Sequence, residues 1–333
     1  MMKTGKWFVL AIAGVLLLTM QGISEDQAMA AAYPDRPITL LVGFTPGGSV
    51  DLSARALANA VKKIIGRPVV IENKPGGTGT VALAAMLAQN PDGYTLCATP
   101  SSVLIRVPQM QKVPFKPLKN FKPLIGYATP QLAIVVRSDA PWKSLKDLVN
   151  DAAKHAGNIK YATTGVGSTT HAAVEEIAAK EKIQMIHVPY KGGSEALTAL
   201  LGGHVDFASL TAEFIPSLKA GQTRLLATMN EKRSPQFSGT PTLKEIGYDF
   251  VNDAVFSIVC PSNLPPAVRE KLEKVFAQAT QDKEYRETLE KIDLIPVSYD
   301  GKRLEGFLKS NWEKINRHLI ATGLIKEAAT LPE

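Results

Sequence analysis

The segment 38–51, ITLLVGFTPGGSVD, constrains the fold more than any other part of this 333-residue chain. Residues 38–44 form an apolar run that fits a buried strand. Thr45, Pro46, Gly47, Gly48 and Ser49 interrupt it. Leu52, Ala56, Leu57, Ala60, Val61 and Ile64 then recur at helical spacing. Ser49 is expected to cap that helix and Asp51 to sit in its first turn. The segment therefore predicts a strand, a tight turn and a helix start. Such a turn carries free backbone N–H groups at a strand's C-terminal end, where open α/β sheets bind ligands. An ordinary βα turn has the same pattern, so the segment fixes a topology and not yet a site.

The pattern repeats. A short strand at 69–71 ends in the Gly-rich loop 75–80, and a helix follows over 81–89. Asn90-Pro91-Asp92-Gly93 is a strong turn signal. The next strand, 94–98, ends at Thr99, Pro100, Ser101 and Ser102. Three strands alternating with two helices predict an open parallel sheet. Residues 107–123 carry Pro108, Pro114, Pro117 and Pro123 without a clear period and read as an ordered linker. A strand at 132–136 opens a second α/β series. It has helices at 140–156, 172–180 and 195–201, and strands at 159–162, 185–188, 205–208 and 224–228. The tail adds strands at 255–260 and 292–297, the latter an edge, and helices at 265–280, 283–291 and 304–322. The fold class expected is α/β, with two lobes and a ligand groove between them. Lobe 1 is expected over 31–124 plus 230–333, and lobe 2 over 125–229.

The first thirty residues have the three-part pattern of a secretory signal. Lys3 and Lys6 precede an apolar run over 7–18, and Ala28-Met29-Ala30 supplies small residues for cleavage after Ala30. The run is too short to span a bilayer comfortably. Residues 1–30 are thus expected to be removed and the mature protein to be exported. The formal charge of +7 survives cleavage, because Lys3 and Lys6 cancel Glu25 and Asp26. Basic residues are scattered among acidic ones, which permits an anionic ligand but does not point to nucleic acid. Cys97 and Cys260 both end apolar strand-like runs. A disulfide and two buried thiols are equally compatible with that placement.

Six small-residue loops follow predicted strands: 45–49, 75–80, 99–102, 163–170, 190–194 and 209–211. Such loops offer N–H groups and hydroxyls to an anion, and helix dipoles offset part of its charge. Gly165-Val166-Gly167-Ser168-Thr169-Thr170 departs from a dinucleotide fingerprint at its final Thr, and no G-x-x-x-x-G-K-[ST] run is present. There is no G-x-S-x-G elbow and no H-E-x-x-H, and the five histidines lack metal-ligand spacing. No cofactor, resident metal or catalytic residue is expected. His171 follows a loop and faces either the groove or the helix surroundings, whereas His187 in its apolar strand reads as structural. Asp51 and Asp206 are the carboxylates nearest to strand ends. They form an acid/base pair only if folding joins them, and local hydrogen bonding is the alternative. Tyr190 and Phe256 are aromatic walls or core.

At this point the chain resembles the periplasmic solute-binding proteins of tripartite tricarboxylate transporters, the Bug or TctC-like family. The matching stretches begin with Tyr33-Pro34-Asp35-Arg36-Pro37-Ile38, Phe44-Thr45-Pro46-Gly47-Gly48-Ser49-Val50-Asp51, and the run from Gly66-Arg67-Pro68 to Asn73-Lys74-Pro75-Gly76. Pro91-Asp92-Gly93-Tyr94-Thr95-Leu96, His187-Val188-Pro189-Tyr190-Lys191-Gly192, Leu201-Gly202-Gly203-His204-Val205-Asp206 and Lys232-Arg233-Ser234 follow in order. The ordered set, rather than any one motif, carries the likeness.

The resemblance implies a type II periplasmic binding fold, a monomer, that captures a small carboxylated solute between closing lobes and delivers it to a membrane permease. It implies that residues 44–49 and 163–170 approach the ligand from opposite lobes. The ligand set expected from loops and resemblance together is Phe44, Thr45, Pro46, Gly47, Gly48, Ser49, Asp51, Thr99, Ser101, Thr163, Gly165, Gly167, Ser168, Thr169, Thr170, His171, Tyr190, Asp206, Thr211 and Phe256. Two departures stand out. Relatives often carry a Trp with a following aromatic and Gly where this chain has Asn252-Asp253-Ala254-Val255-Phe256-Ser257, and two Pro where it has Thr45-Pro46. The first change reshapes the distal groove wall, so the carboxylate end of the ligand is better defined than the other end. A sensor or scaffold acting through a partner receptor, and an exported hydrolase, are the competing readings.

Overall fold

In the computed structural model, residues 33–252 and 254–331 are described. The signal segment with its cleavage site, and Asp253, lie outside them. The first sheet is built from β1 (Ile38–Val42), β2 (Val69–Asn73), β3 (Thr95–Pro100), β4 (Phe121–Pro130), β10 (Phe256–Pro261) and β11 (Leu294–Asp300), in the order β11-β4-β10-β3-β1-β2. β1 pairs in parallel with β2 and β3, as alternating strands and helices require. β10 runs antiparallel to β3 and β4, and β11 closes the edge against β4. The second sheet has the order β7-β6-β8-β5-β9, from β5 (Ala133–Arg137), β6 (Lys160–Thr163), β7 (Ile186–Pro189), β8 (Phe207–Leu210) and β9 (Thr223–Thr228). β6 is parallel to β7 and β8, and β5 is antiparallel to β8 and β9.

Helices that bear on the site are α1 (Ser49–Ile65), α2 (Thr80–Leu87), α3 (Ser101–Ile105), α4 (Val107–Met110), α5 (Leu145–Lys154), α6 (Thr169–Glu181), α7 (Gly193–Leu201) and α8 (Ile215–Lys219). The tail supplies α9 (Pro266–Ala279), α10 (Lys283–Lys291) and α11 (Gly301–Ala321). Val50, Ala54, Leu57, Ala58 and Val61 form the buried stripe of α1, and α9 and α10 pack beside that helix. α11 buries Leu304, Leu308, Trp312, Ile315 and Leu319 toward β4 and β11. Each such burial contributes about 1.5–3 kcal/mol. Among the described residues no helix is long and apolar enough to cross a membrane.

The chain passes between sheets twice. β4 lies wholly in the first sheet, so the outward crossing comes between Pro130 and Ala133 rather than near residue 124. Leu243, Tyr248 and Phe250 pack into the second lobe's core, and the amide of Asn252 donates to the Met229 carbonyl. The return crossing therefore lies between Asn252 and Phe256, later than the expected residue 229. Asn230 and Asn252 both donate side-chain N–H groups to the Pro130 carbonyl, which ties the two crossings together. β4 also replaces the end of the expected linker. Bulges where β10 meets it absorb the irregular pairing around Pro123 and Gly126.

Cys97 and Cys260 are buried and free. Cys97 sits opposite Val259, and strand alternation turns the next residue, Cys260, to the other face of the sheet. The two sulfurs point apart, so the thiol reading holds and the disulfide reading does not. Burial pushes both thiols upward, Cys260 to about 12.

Candidate functional site

All six small-residue loops leave the C-terminal ends of strands, as their order in the sequence requires. Several converge on a narrow cavity of about 40 Å³ between the lobes. From the first lobe it is lined by Phe44, Gly48, Ser49, Val50, Pro100, Ser102, Ala254 and Phe256, with Pro130 and Leu132 at the outward crossing. From the second lobe it is lined by Thr164, Ser168, Thr169, Thr170, Gly193, Thr211 and Glu213. α1, α6 and α7, each two turns or longer, begin at this cavity, so the donor-rich ends of their macrodipoles share one space. Phe44, Pro100, Pro130, Leu132, Ala254 and Phe256 give it an apolar wall.

The α6 end is organised by its own hydroxyls. Ser168 caps the helix, its Oγ accepting from the His171 amide at 3.2 Å and donating to the Gly165 carbonyl at 2.7 Å. The Thr164 amide donates to Thr170 Oγ1 at 3.2 Å. The Gly165 amide donates to Thr163 Oγ1, which also meets His187 Nε2 at 2.7 Å. Gly165 has φ of +121° and passes so close to Thr78 that a Cβ there would lie 2.5 Å from its hydroxyl. Only glycine satisfies both demands. Arg106, itself buried, donates from Nη1 to Thr169 Oγ1 at 3.1 Å and so places a cation behind the first turn.

The α1 end is organised by carboxylates. Gly48, not Ser49, is the cap residue, and Ser49 is the first helical residue. The Ser49 side chain instead crosses to the second lobe, meeting Thr211 Oγ1 at 2.6 Å and donating to Glu213 Oε1 at 2.8 Å. The Ser49 amide donates to the same Glu213 oxygen at 2.8 Å, and the Ala212 amide donates to Ser49 Oγ at 3.0 Å. Asp51 binds within its own loop, accepting from the Gly47 amide, Arg55 and Asn73. Burial alone would raise the Asp51 carboxyl, but those donors outweigh it and hold it below the ordinary carboxylate range.

Further contacts join the lobes around the cavity. Thr45 Oγ1 meets Ser194 Oγ at 2.8 Å, Ser194 donates to the Pro46 carbonyl at 3.0 Å, and Thr78 donates to the Val166 carbonyl at 3.0 Å.

Of the expected ligand set, Phe44, Gly48, Ser49, Ser168, Thr169, Thr170, Thr211 and Phe256 line the cavity. The others stand behind it or away from it. Thr45, Pro46 and Gly47 form the outer lip, and Asp51 braces that loop. Thr99 is a buried strand residue whose carbonyl accepts from Ser257, and the Ser101 hydroxyl is taken by the Val255 amide. Thr163, Gly165 and Gly167 shape the α6 turn from behind. Tyr190 packs half-buried on the core, its amide bonded to the Thr163 carbonyl. His171 is buried in a stack on His187 with centroids 4.2 Å apart, and His187 in turn stacks on Tyr161. Burial and the facing His187 push His171 down to about 3, and burial pushes His187 down to about 4. Asp206 precedes β8 and accepts from the Lys160 amide, so strand direction puts it at the opposite end of the sheet from the cavity. Asp51 and Asp206 therefore form no pair. Among the described residues no cluster of three His, Cys, Asp or Glu is fit to hold a metal ion.

Residues outside the expected set also line the cavity. Pro100, Ser102, Thr164 and Gly193 lie inside loops that the sequence marks, and Ala254 within the altered wall. Val50 lies inside the matched stretch 44–51, whereas Pro130, Leu132 and Glu213 had no such signal. Glu213 lies two residues past Thr211, in a short 3-10 turn (Ala212–Phe214) with no periodicity to read.

The pattern of the tripartite tricarboxylate transporter family receptors matches residues 53–324. The chain belongs to that family. A Cupriavidus necator relative, described as a UPF0065 protein in the gbd 5′ region, is 37% identical over 90% of this chain and 91% of its own. Protein BugT of Bordetella pertussis is 30% identical over 90% of this chain and 93% of its own. Among solved structures, the periplasmic binding protein BugD superposes with a TM-score of 0.83 at 25% identity, covering 88% of this chain and 99% of that one. An R. palustris protein solved with adipate superposes with the same score and identity, over 87% and 98%. These receptors share the two-lobe solute-binding fold, and the cavity described above lies between the two lobes of that fold.

Proposed function

We propose that this receptor captures a small carboxylate-bearing solute outside the cytoplasm and delivers it to a tripartite tricarboxylate-type permease. The observation that carries the reading is the meeting of three helix N-termini at one apolar-walled cavity between lobes. N–H groups at helix ends hold an anion without a cationic side chain in contact with it. Family membership and the adipate-bearing neighbour support a carboxylate as that anion. The receptor acts as a monomer, binds one ligand per chain and turns nothing over. The signal pattern over residues 1–30 accounts for its export, with cleavage after Ala30. In this reading the residues that meet the ligand are the cavity-lining members of the 44–50, 164–170 and 211–213 segments, with Phe256 and Leu132 as walls.

A thermal-shift screen of the mature, ligand-stripped protein against mono-, di-, tri- and aromatic carboxylates tests this. A ligand at a hundred times its Kd adds about 2.7 kcal/mol of stability. A saturable rise in Tm with one chemical class is the expected result. A flat response to every member, with a cavity shown to be open, contradicts carboxylate capture.

A further inference from the structure

Glu213 is the one ionisable side chain that lines the cavity among the described residues. Its position gives the cavity a direction. The carboxylate accepts from the Ser49 amide and hydroxyl at 2.8 Å each, and from Thr211 Oγ1 at 2.7 and 2.6 Å. It thus occupies the N-terminal end of α1, where a ligand carboxylate would otherwise be drawn. It is also wedged against the start of α7. A Cβ added to Gly193 would come within 2.2 Å of the Glu213 carboxyl carbon. A second carboxylate brought to this end meets a fixed like charge in a confined space.

The same carboxylate can still accept. Two oxygens offer about four lone-pair sites. The Ser49 amide, the Ser49 hydroxyl and the Thr211 hydroxyl supply at most one proton each, so at least one site has no donor among these partners. The opposite end has the reverse character. Thr169 and Thr170 open α6, no acid lines the cavity there, and the Arg106 guanidinium stands behind Thr169.

Resting on the carboxylate-capture reading, we propose that Glu213 sets the charge type of the ligand. The α6 end takes the ligand's carboxylate. The Glu213 end takes a hydrogen-bond donor, with an ammonium preferred, and rejects a second carboxylate. The ligand class is therefore a small amino-carboxylate rather than a dicarboxylate.

Isothermal titration of the mature protein with matched pairs tests the proposal. The pairs are succinate and 4-aminobutanoate, glutarate and 5-aminopentanoate, adipate and 6-aminohexanoate, and pentanoate and norvaline. In at least one pair the amine-bearing member is expected to bind about tenfold or more tightly than its partner. The Glu213→Gln variant is expected to cut that preference by about tenfold, with its melting curve as the check on folding. Because the wild-type comparison needs no variant, a misfolded Glu213→Gln protein does not shield the proposal. Wild-type protein that binds a diacid as well as every amino partner overturns the role of Glu213 and leaves carboxylate capture standing. No saturable binding by any member overturns the role of Glu213, and carboxylate capture falls with it when the wider thermal-shift panel is flat as well.

Discussion

At the α1 end of the cavity the protein supplies its own anion, whereas at the α6 end it supplies donors and a cation behind them. Both ends are helix N-termini that follow a strand and a turn of small residues. Their sequences, TPGGS and TTGVGST, look alike as anion cradles. The difference comes from the third dimension. Glu213 reaches the first end from the other lobe, and Arg106 reaches the second from the other lobe. A loop motif therefore marks where charge is handled, while residues far away in sequence decide its sign. The first end is also a clasp between lobes. The second is rigid within one lobe, because Thr163, Thr164, Ser168 and Thr170 bond to one another and to their own loop.

Acid should separate the two ends most strongly. His171 and His187 lie only behind the α6 end, and both are held neutral by burial, at about 3 and 4. The unfolded chain protonates at the ordinary histidine value, near 6.5. Stability is then fully present above about pH 6.5 and falls as pH drops toward the folded values. For His171, which is 5% exposed, the loss at pH 4.5 is on the order of 2 kcal/mol. The Asp51 clamp at the α1 end has a lowered carboxyl, so its contribution persists until pH falls below the ordinary carboxylate range, near 4. Urea melts at pH 7.5 and 4.5 of wild type and His171→Gln measure this. A variant as acid-sensitive as wild type would remove the histidine from the account.

Gly193→Val should affect the clasp next. The added side chain meets the Glu213 carboxylate, and overpacking of this kind costs about 1–3 kcal/mol. If closure is lost rather than the fold, ligand affinity falls about 5- to 150-fold while the far-ultraviolet circular dichroism is unchanged. Unchanged affinity would show that the Glu213 contact is not part of the bound state.

Ser49→Ala and Ser168→Ala then form a direct contrast. Ser49→Ala removes one donor to Glu213 and the acceptor of the Ala212 amide, at a cost of about 1–2 kcal/mol. Ser168→Ala removes a helix cap, at about 1 kcal/mol. Ligand affinity should fall more for Ser168→Ala, although its stability cost is the smaller. The reverse order of affinities would place the ligand carboxylate at the α1 end.

The α/β alternation, the two lobes and the positions of the six loops were legible because each rests on local periodicity and on Gly, Pro and Ser punctuation. The tail helices were legible for the same reason, and α10 matches its expected bounds, Lys283–Lys291. β4 was not legible. It carries Pro123, Gly126 and Pro130, and only its place between β10 and β11 makes it a strand. The loop residues of the site were partly legible. Ser49 was expected as a cap and is instead a cross-lobe partner, because Glu213 and Thr211 compete for its hydroxyl. Asp206 misled because the strand begins at Phe207 rather than at residue 205, which leaves Asp206 just before its N-terminal end and away from the cavity. Glu213 and Arg106 left no local trace, since what matters about each is its partner in the opposite lobe.

The most direct measurement is a crystal structure of the mature protein with the tightest ligand from the screen. The account predicts one ligand between the lobes, its carboxylate within hydrogen-bond distance of the Thr169 and Thr170 amides, and Glu213 still bonded to Ser49. A carboxylate seated on the Ser49 amide with Glu213 displaced, or a ligand bound outside this cavity, would contradict it.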